Sequence, residues 1–120
     1  MAQLINAKTY TDDRGNLTVI DKIIPFEIKR IFYIYDVVGD RGNHSHKINK
    51  SALVCVKGKC KVRVNDGKKI SIYDLDAPEK ILVLQPEEYR TMYDFSDDAV
   101  LLVLASEHFI DDYIDEEPSL

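Results

Sequence analysis

Two of the chain's three histidines, His44 and His46, stand two residues apart in the run Arg41–Lys47, just before an apolar stretch at 52–56. Residues at this spacing on a β-strand project from the same face, so the sequence predicts two neighbouring imidazoles. Imidazole is the side chain best suited to proton transfer near neutral pH, and it is also the commonest metal ligand. The pair therefore predicts either a proton-transfer site or a metal site.

The residues that follow the histidines lack the other ligands of a usual metal site. The His-x-His strand resembles that of metal-binding cupins, small β-barrel proteins in which a glutamate follows shortly afterwards and a further histidine comes from a later hairpin. Here those positions hold Lys50 or Ser51, and the segment 85–90 has no histidine. Zinc and iron sites use about three or four protein ligands, and Glu87 or Glu88 could add only one. Proton chemistry is favoured, with a metal-dependent cupin enzyme as the alternative.

Spacing alone also leaves a third interpretation open, in which the two histidines are hydrogen-bonded and inert at a sheet edge. Positive charges elsewhere give little guidance, since Lys22, Lys29 and Arg30 are expected on solvated faces.

Composition describes an ordinary globular protein with an acidic balance. The chain has 120 residues, 45% hydrophobic and 31% charged, which is enough for one domain spanning residues 1–120 with a core of its own. A net charge of −5 argues against nucleic-acid binding, although a local cluster of arginines could still bind a small anion. No apolar stretch reaches the roughly 18–20 residues of a membrane span, and the first residues start no signal peptide. We expect a cytoplasmic protein without a membrane partner.

Short apolar or alternating segments fill the chain and predict β-strands almost throughout. The expected strands are Leu4–Tyr10, Leu17–Ile20, Lys29–Asp36, His44–Ile48, Ala52–Val56, Cys60–Asn65, Lys69–Tyr73, Ile81–Leu84, Thr91–Phe95 and Ala99–Leu104.

Turn signals separate these segments, the clearest being Asn65-Asp66-Gly67, because such a sequence tolerates the positive φ of tight turns. The run 100–104 is apolar on both faces, which predicts a strand between the core and a second surface such as a subunit partner. Only Phe109–Asp115 could form a turn or two of helix. About ten short strands in one small domain predict an all-β jelly roll or a related closed barrel.

The two cysteines, Cys55 and Cys60, flank a predicted two-residue turn at Lys57-Gly58 and could face each other across a hairpin at disulfide distance. Because disulfides are rare in the cytosol, we expect two reduced, partly buried thiols.

Several longer blocks together resemble the sugar 3,4-ketoisomerases, which are cupins acting on thymidine-diphosphate-linked 4-keto-6-deoxyglucose. The similarity runs from Asp13 to Ile114 and is carried by the segments 28–36, 41–47, 66–67, 94–96, 99–106 and 112–114. The chain departs from the family pattern at Lys50, Ser51, Tyr89 and Asp115.

The resemblance implies an isomerase that moves the keto group of the hexose from C4 to C3 through an enediol, in deoxyamino-sugar biosynthesis. No redox cofactor or metal is implied. A catalytically idle cupin that only binds nucleotide sugars is the alternative. The resemblance also implies a homodimer that exchanges N-terminal strands.

The resemblance assigns residues to these roles. His44 and His46 are expected to be the catalytic pair, with Tyr33 beside the sugar as a third catalytic residue. His46 lies further into the strand and is expected to be the main base, with His44 as its partner. The residues expected to bind the substrate are Arg14, Arg41, Lys47, Tyr89 and Arg90.

Overall fold

The chain folds into twelve β-strands without a helix, and the computed structural model describes all residues from 1 to 120. The strands are β1 Gln3–Asn6, β2 Lys8–Asp12, β3 Gly15–Val19, β4 Arg30–Tyr35, β5 Arg41–His46, β6 Ser51–Lys57, β7 Cys60–Asn65, β8 Ile70–Leu75, β9 Lys80–Leu84, β10 Tyr89–Tyr93, β11 Val100–Ala105 and β12 Tyr113–Ile114.

Two five-stranded antiparallel sheets form the barrel, one in the order β1-β9-β6-β11-β4 and the other in the order β12-β5-β10-β7-β8. A cluster of buried side chains from both sheets fills the space between them; it includes Leu53, Val62, Leu82, Met92 and Leu101. The alternation of Cys60, Val62 and Val64 with charged residues places one face of β7 in this core, as predicted. The prediction of an all-β cupin jelly roll is confirmed.

The outer face of the first sheet is covered by the chain itself. Ala52, Val54, Ile81, Val83 and Leu104 form a second buried cluster there. Side chains from the segment that follows β3 pack on this cluster, namely Ile20, Ile24 and Phe26. This second layer explains why β9 and β11 are apolar on both faces, so their composition requires no subunit partner at these positions.

The predicted strand Leu4–Tyr10 is interrupted at Ala7, which is buried and donates its backbone N–H to the carbonyl oxygen of Glu79 over 2.7 Å. Beyond this anchor β2 pairs only with β3, and the resulting hairpin stands away from the barrel. Tyr10 and Leu17 on the hairpin are largely exposed.

The segment expected to form a helical turn, Phe109–Asp115, instead contains the short strand β12, and the helix prediction is wrong. Tyr113 and Ile114 pair with His46 and Ser45 of β5, which satisfies the backbone of that edge strand. The structure contains no helix long and apolar enough to cross a membrane.

The expected hairpin between Cys55 and Cys60 is also wrong, because β6 and β7 belong to different sheets and the turn at Gly58 carries the chain from one to the other. Both cysteines are free thiols buried at that crossing. The pKa of the Cys60 thiol is raised, first by its contact with Cys55 and then by burial.

Gly58 is required at this crossing. It adopts φ +68°, and a Cβ atom there would lie 2.8 Å from the Cα atom of Ala99. Replacing Gly58 by alanine combines a backbone clash with left-handed strain, and we expect it to lower the free energy of unfolding by about 2–4 kcal/mol. Gly39 is the matched control, since it adopts φ +76° with nothing within 4 Å of the added Cβ. Both variants are measured by urea titration, in which Gly39→Ala should lower the free energy of unfolding by only about 1 kcal/mol. Equal losses of unfolding free energy in the two variants would contradict the steric account.

Candidate active site

A cavity of about 140 Å³ lies between the two sheets. It is lined by Arg30, Phe32, Ile34, Arg41, Gly42, His44, His46, Asn49, Ser51, Leu53, Arg90, Met92, Val103 and Tyr113. Three arginines line the cavity and no carboxylate does. In a chain of net charge −5, this is a locally cationic site that favours an anionic ligand.

A β-bulge in β5 brings this strand close to β10. Gly42 and Asn43 both have positive φ, and the pairing register with β10 shifts at this point. A Cβ on Gly42 would lie 3.0 Å from the carbonyl oxygen of Arg90, so glycine permits the close approach. Thr91 on β10 donates its hydroxyl hydrogen to the side-chain oxygen of Asn43 over 2.8 Å. Bulges commonly re-aim side chains next to functional sites.

The two histidines project into the cavity side by side, as their spacing predicts. The rings of His44 and His46 lie 4.8 Å apart between centroids and stand nearly perpendicular. Tyr113 from β12 completes the group, with its ring 4.8 Å from that of His44 and 5.0 Å from that of His46. Tyr113 belongs to the segment 112–114 that carries the family resemblance, but no role was predicted for it from the sequence.

His46 is held by Asp112, a buried carboxylate that the sequence analysis did not assign to the site. Nδ1 of His46 lies 2.7 Å from Oδ1 of Asp112. The other carboxylate oxygen, Oδ2, accepts the backbone N–H groups of Ile48 and Asn49 at 3.0 and 2.9 Å. Burial alone would raise the pKa of Asp112, but the hydrogen bonds from His46, Asn49 and Ile48 outweigh it and lower the pKa to about 2. Asp112 is therefore ionised at neutral pH.

Both histidines are neutral at pH 7. Burial lowers the pKa of His46, and the positive charge of Arg90 lowers it further, against the opposing hydrogen bond to Asp112. Burial likewise lowers the pKa of His44, with Arg90 acting in the same direction and a hydrogen bond at the Gly42 backbone opposing it. Because the Asp112 carboxylate can only accept, the neutral His46 ring carries its proton on Nδ1. The Nε2 lone pair is then the one available to a ligand.

Arg90 is buried in the cavity wall with only 2% of its surface exposed. Its Nε donates to the carbonyl oxygen of Glu88 at 2.9 Å, and Nη2 donates to that of Gln85 at 3.1 Å. Nη1 lies 3.4 Å from the Ser51 hydroxyl oxygen. Burial lowers the pKa of Arg90 to about 10, which leaves the guanidinium charged at neutral pH.

The other arginines differ in position. Arg41 lines the cavity at an exposed position at the start of β5. Arg30 was expected on a solvated face, but that expectation is wrong, because Arg30 lines the cavity from the start of β4.

Four residues predicted to contact the substrate do not line the cavity of this chain. Tyr33 is 62% exposed, because alternation along β4 directs Phe32 and Ile34 inward and Tyr33 outward. Lys47 and Tyr89 also point away from the cavity, because they are the immediate neighbours of the inward-facing His46 and Arg90. Tyr89 is buried outside the cavity. Arg14 lies on the β2–β3 hairpin, where its guanidinium pairs with Asp12 at 2.7 Å.

Metal ligands are sparse around the histidines. Nowhere in the chain do three or more histidine, cysteine, aspartate or glutamate side chains meet in a group that could hold a metal ion. The positions where metal-binding cupins carry a glutamate hold Lys50 or Ser51, and Ser51 faces Arg90.

Comparison with known proteins identifies a family and a curated relative. Residues 1–119 match the family model described as "FdtA: WxcM-like, C-terminal". The chain is 44% identical over 117 residues to the TDP-4-oxo-6-deoxy-alpha-D-glucose-3,4-oxoisomerase of Aneurinibacillus thermoaerophilus, which spans 93% of this chain and 84% of the relative.

Solved structures agree. A 3,4-ketoisomerase from Helicobacter canadensis superposes with a TM-score of 0.91 at 38% identity, over 96% of this chain and 90% of the other. A mutant of the 3,4-ketoisomerase QdtA from Thermoanaerobacterium thermosaccharolyticum, in complex with TDP-4-keto-6-deoxyglucose, gives a TM-score of 0.91 at 41% identity, over 96% and 87% of the two chains. Agreement over nearly the full length in sequence and fold shows that this chain belongs to the FdtA, WxcM-like family, the family of the sugar 3,4-ketoisomerases.

Proposed function

We propose that this protein moves the keto group of a dTDP-linked 4-keto-6-deoxyhexose from C4 to C3, as one step in the synthesis of deoxyamino sugars. The observation that carries the proposal is the pair of neutral histidines, one fixed by an ionised aspartate, in a cavity lined by three arginines. The relatives support the substrate class, since one was solved with TDP-4-keto-6-deoxyglucose bound.

The reaction needs a base of near-neutral pKa that can take a proton from carbon, and Nε2 of His46 meets that requirement. As His46 takes the C3 proton, the C–H electron pair forms the C3–C4 double bond and the carbonyl pair moves to the C4 oxygen, which gains a proton. The resulting enediol then loses the proton of its C3 hydroxyl, and C4 accepts a proton. Electrons are redistributed within the sugar, so no redox cofactor takes part.

His44 is placed to act as the partner of His46. Its ring lies at 4.8 Å from the His46 ring and lines the same cavity, so one histidine can take a proton while the other serves the adjacent carbon or oxygen. Tyr113 contacts both rings, and its phenol is a second candidate for donating a proton to the C4 side.

The anionic end of the substrate is assigned to Arg41. Its exposed guanidinium at the cavity rim suits a diphosphate, because arginine meets phosphate oxygens through two parallel hydrogen bonds. All three side-chain nitrogens of Arg90 donate hydrogen bonds to protein oxygens. Arg90 therefore contributes a fixed positive charge deeper in the cavity wall.

The N-terminal hairpin is best explained by a homodimer in which it reaches the partner subunit. In one chain the hairpin pairs only with itself, and it carries exposed Tyr10 and Leu17. The outer face of the edge strand β4 is also exposed and apolar, with Tyr33 and Tyr35 stacked at 5.9 Å. A partner covering these surfaces would bring its Arg14 to a cavity that the Arg14 of the same chain does not reach.

The direct test is incubation of the protein with dTDP-4-keto-6-deoxyglucose and an aminotransferase that accepts only the 3-keto sugar. We expect a 3-amino product that depends on this protein. Retained binding of the sugar nucleotide without turnover would instead indicate an idle binding protein.

Replacing His46 by asparagine should lower kcat by at least about 10² while KM changes little, because the side chain keeps its polarity but loses its titratable nitrogen. His44→Asn should cost less, or prevent solvent deuterium from appearing at C4. The third histidine, His108, is exposed outside the cavity, and His108→Asn is the matched control that should leave kcat unchanged. Turnover by the His46 variant at the wild-type rate in D₂O, with label entering the product, would exclude His46 as the base.

Asp112→Asn should lower kcat by about 10²–10⁴ with little effect on substrate binding. The backbone N–H groups of Ile48 and Asn49 hold the single amide oxygen, so the amide NH₂ faces His46 and shifts the ring proton to Nε2. Asp111, the exposed neighbouring carboxylate, gives the matched control Asp111→Asn, which should stay close to the wild type.

The Asp112→Asn variant should also differ from the wild type in its pH dependence. In the wild type, kcat/KM should fall as pH drops through a folded-state pKa below 6.5, because protonated His46 is no base. The Asp112 carboxylate raises the pKa of His46, so its removal should move this acid limb to lower pH. An acid limb that stays in place would contradict the coupling.

Subunit complementation tests the hairpin exchange. If Arg14 serves the partner's cavity, a mixed dimer of Arg14→Ala and His46→Asn subunits contains one intact site. If each variant alone is inactive, co-expression at equal levels should recover about a quarter of the wild-type activity, since about half of the dimers are mixed. No recovery in a mixture that demonstrably contains mixed dimers would mean that Arg14 does not serve the partner's site.

A further inference from the structure

Arg30 lies in the cavity wall, and its guanidinium makes no hydrogen bond or ion pair with the protein. Its guanidinium carbon lies 4.6 Å from the ring centre of Phe32 and 5.3 Å from that of Phe109. Arginine is commonly held between aromatic faces in this way. No protein carboxylate or carbonyl accepts a hydrogen bond from the Arg30 side chain, so its five N–H donors are available to a ligand.

The other arginines near the site differ from Arg30, because Arg90 and Arg14 are paired with protein groups and Arg41 is exposed. Arg90 donates to three protein oxygens, and Arg14 is paired with Asp12. Arg41 stands at an exposed position on the rim. Arg30 is half-buried, contacts the Phe32 ring and lines the same cavity as His46 and the apolar Val103. A guanidinium in such surroundings interacts more strongly with an anion than it would in water.

We propose that Arg30 is a catalytic residue that stabilises the negative charge developing on the sugar oxygen when His46 removes the proton. This inference rests on the proposed isomerase function and adds a residue to which the sequence analysis gave no role. Preorganised positive groups aimed at a developing oxyanion contribute strongly to catalysis in sites that exclude water.

Two further observations support this position for the oxyanion. Arg30 is close enough to His46 for its charge to lower the pKa of that histidine, after the larger effects of burial and Arg90. The Phe32 and Phe109 rings both contact the guanidinium, which restricts its movement before charge appears on the substrate. Phe109 itself is 63% exposed, which makes it the outer cover of this arrangement.

The test separates the oxyanion role from diphosphate binding. Arg30→Gln removes the charge and keeps a polar side chain; we expect kcat on dTDP-4-keto-6-deoxyglucose to fall by about 10²–10³, with the Kd of dTDP within about twofold of the wild type. Arg41→Gln is the comparison variant, and its Kd for dTDP should rise instead. Arg30→Lys keeps the charge without the planar donors and should lose about tenfold in kcat, which preserves the test if the neutral variant does not fold.

Chemical rescue distinguishes a catalytic role of Arg30 from a purely structural one. Arg30→Ala leaves a slot between the Phe32 and Phe109 rings, and guanidinium chloride at low millimolar concentration should restore part of kcat, whereas sodium chloride at equal ionic strength should not.

Three outcomes would overturn the proposal. Unchanged kcat in Arg30→Gln would remove Arg30 from catalysis, and weaker dTDP binding with unchanged kcat would make it a diphosphate-binding residue. Wild-type protein without turnover of the 4-keto sugar would refute the isomerase function itself and the role of Arg30 with it, which distinguishes that failure from the other two.

Discussion

The arrangement of the site depends on the three hydrogen bonds accepted by the Asp112 carboxylate. One oxygen holds Nδ1 of His46, and the other holds the backbone N–H groups of Ile48 and Asn49, where the chain leaves β5. The backbone contact between Lys47 and Asp112 and the pairing of β12 with β5 fix the same segment. A single buried anion thus orients the proposed base, fixes its tautomer and attaches the C-terminal segment to the catalytic strand.

Charge is distributed so that proton transfer can occur near neutral pH. The histidines are kept neutral mainly by burial, and the nearby arginine charge acts in the same direction. The balancing carboxylate of Asp112 lies behind His46 instead of facing the cavity, so the ligand meets only positive and neutral groups. The same separation gives an acidic protein a cationic cavity that favours an anionic ligand.

Hydrophobic alternation and residue spacing predicted the features that depend on residues close in sequence, namely strand bounds and the face from which a side chain projects. Strand β7 matches its predicted bounds, Cys60–Asn65, and the spacing of His44 and His46 places both rings in one cavity. Whole-chain similarity located the family but not the inward face of each strand, which is why Tyr33 and Tyr89 were assigned to a cavity that they do not line.

Contacts between segments far apart in the sequence could not be predicted from these local patterns. Asp112 lies 66 residues from His46, and its role follows from a strand pairing that the expected helical turn would have precluded. Arg30 could have been recognised by the alternation of β4, in which Arg30, Phe32 and Ile34 share the inward face.

The site depends most directly on the state of His46, which burial keeps neutral at pH 7 and which Asp112 fixes with the proton on Nδ1 and the lone pair of Nε2 facing the cavity. Nitrogen NMR of ¹⁵N-histidine-labelled protein, with His46 assigned by its absence in His46→Asn, measures this state directly. The account predicts a protonated Nδ1 and an unprotonated Nε2 at pH 7. An imidazolium at that pH, or a neutral ring protonated on Nε2, would contradict it.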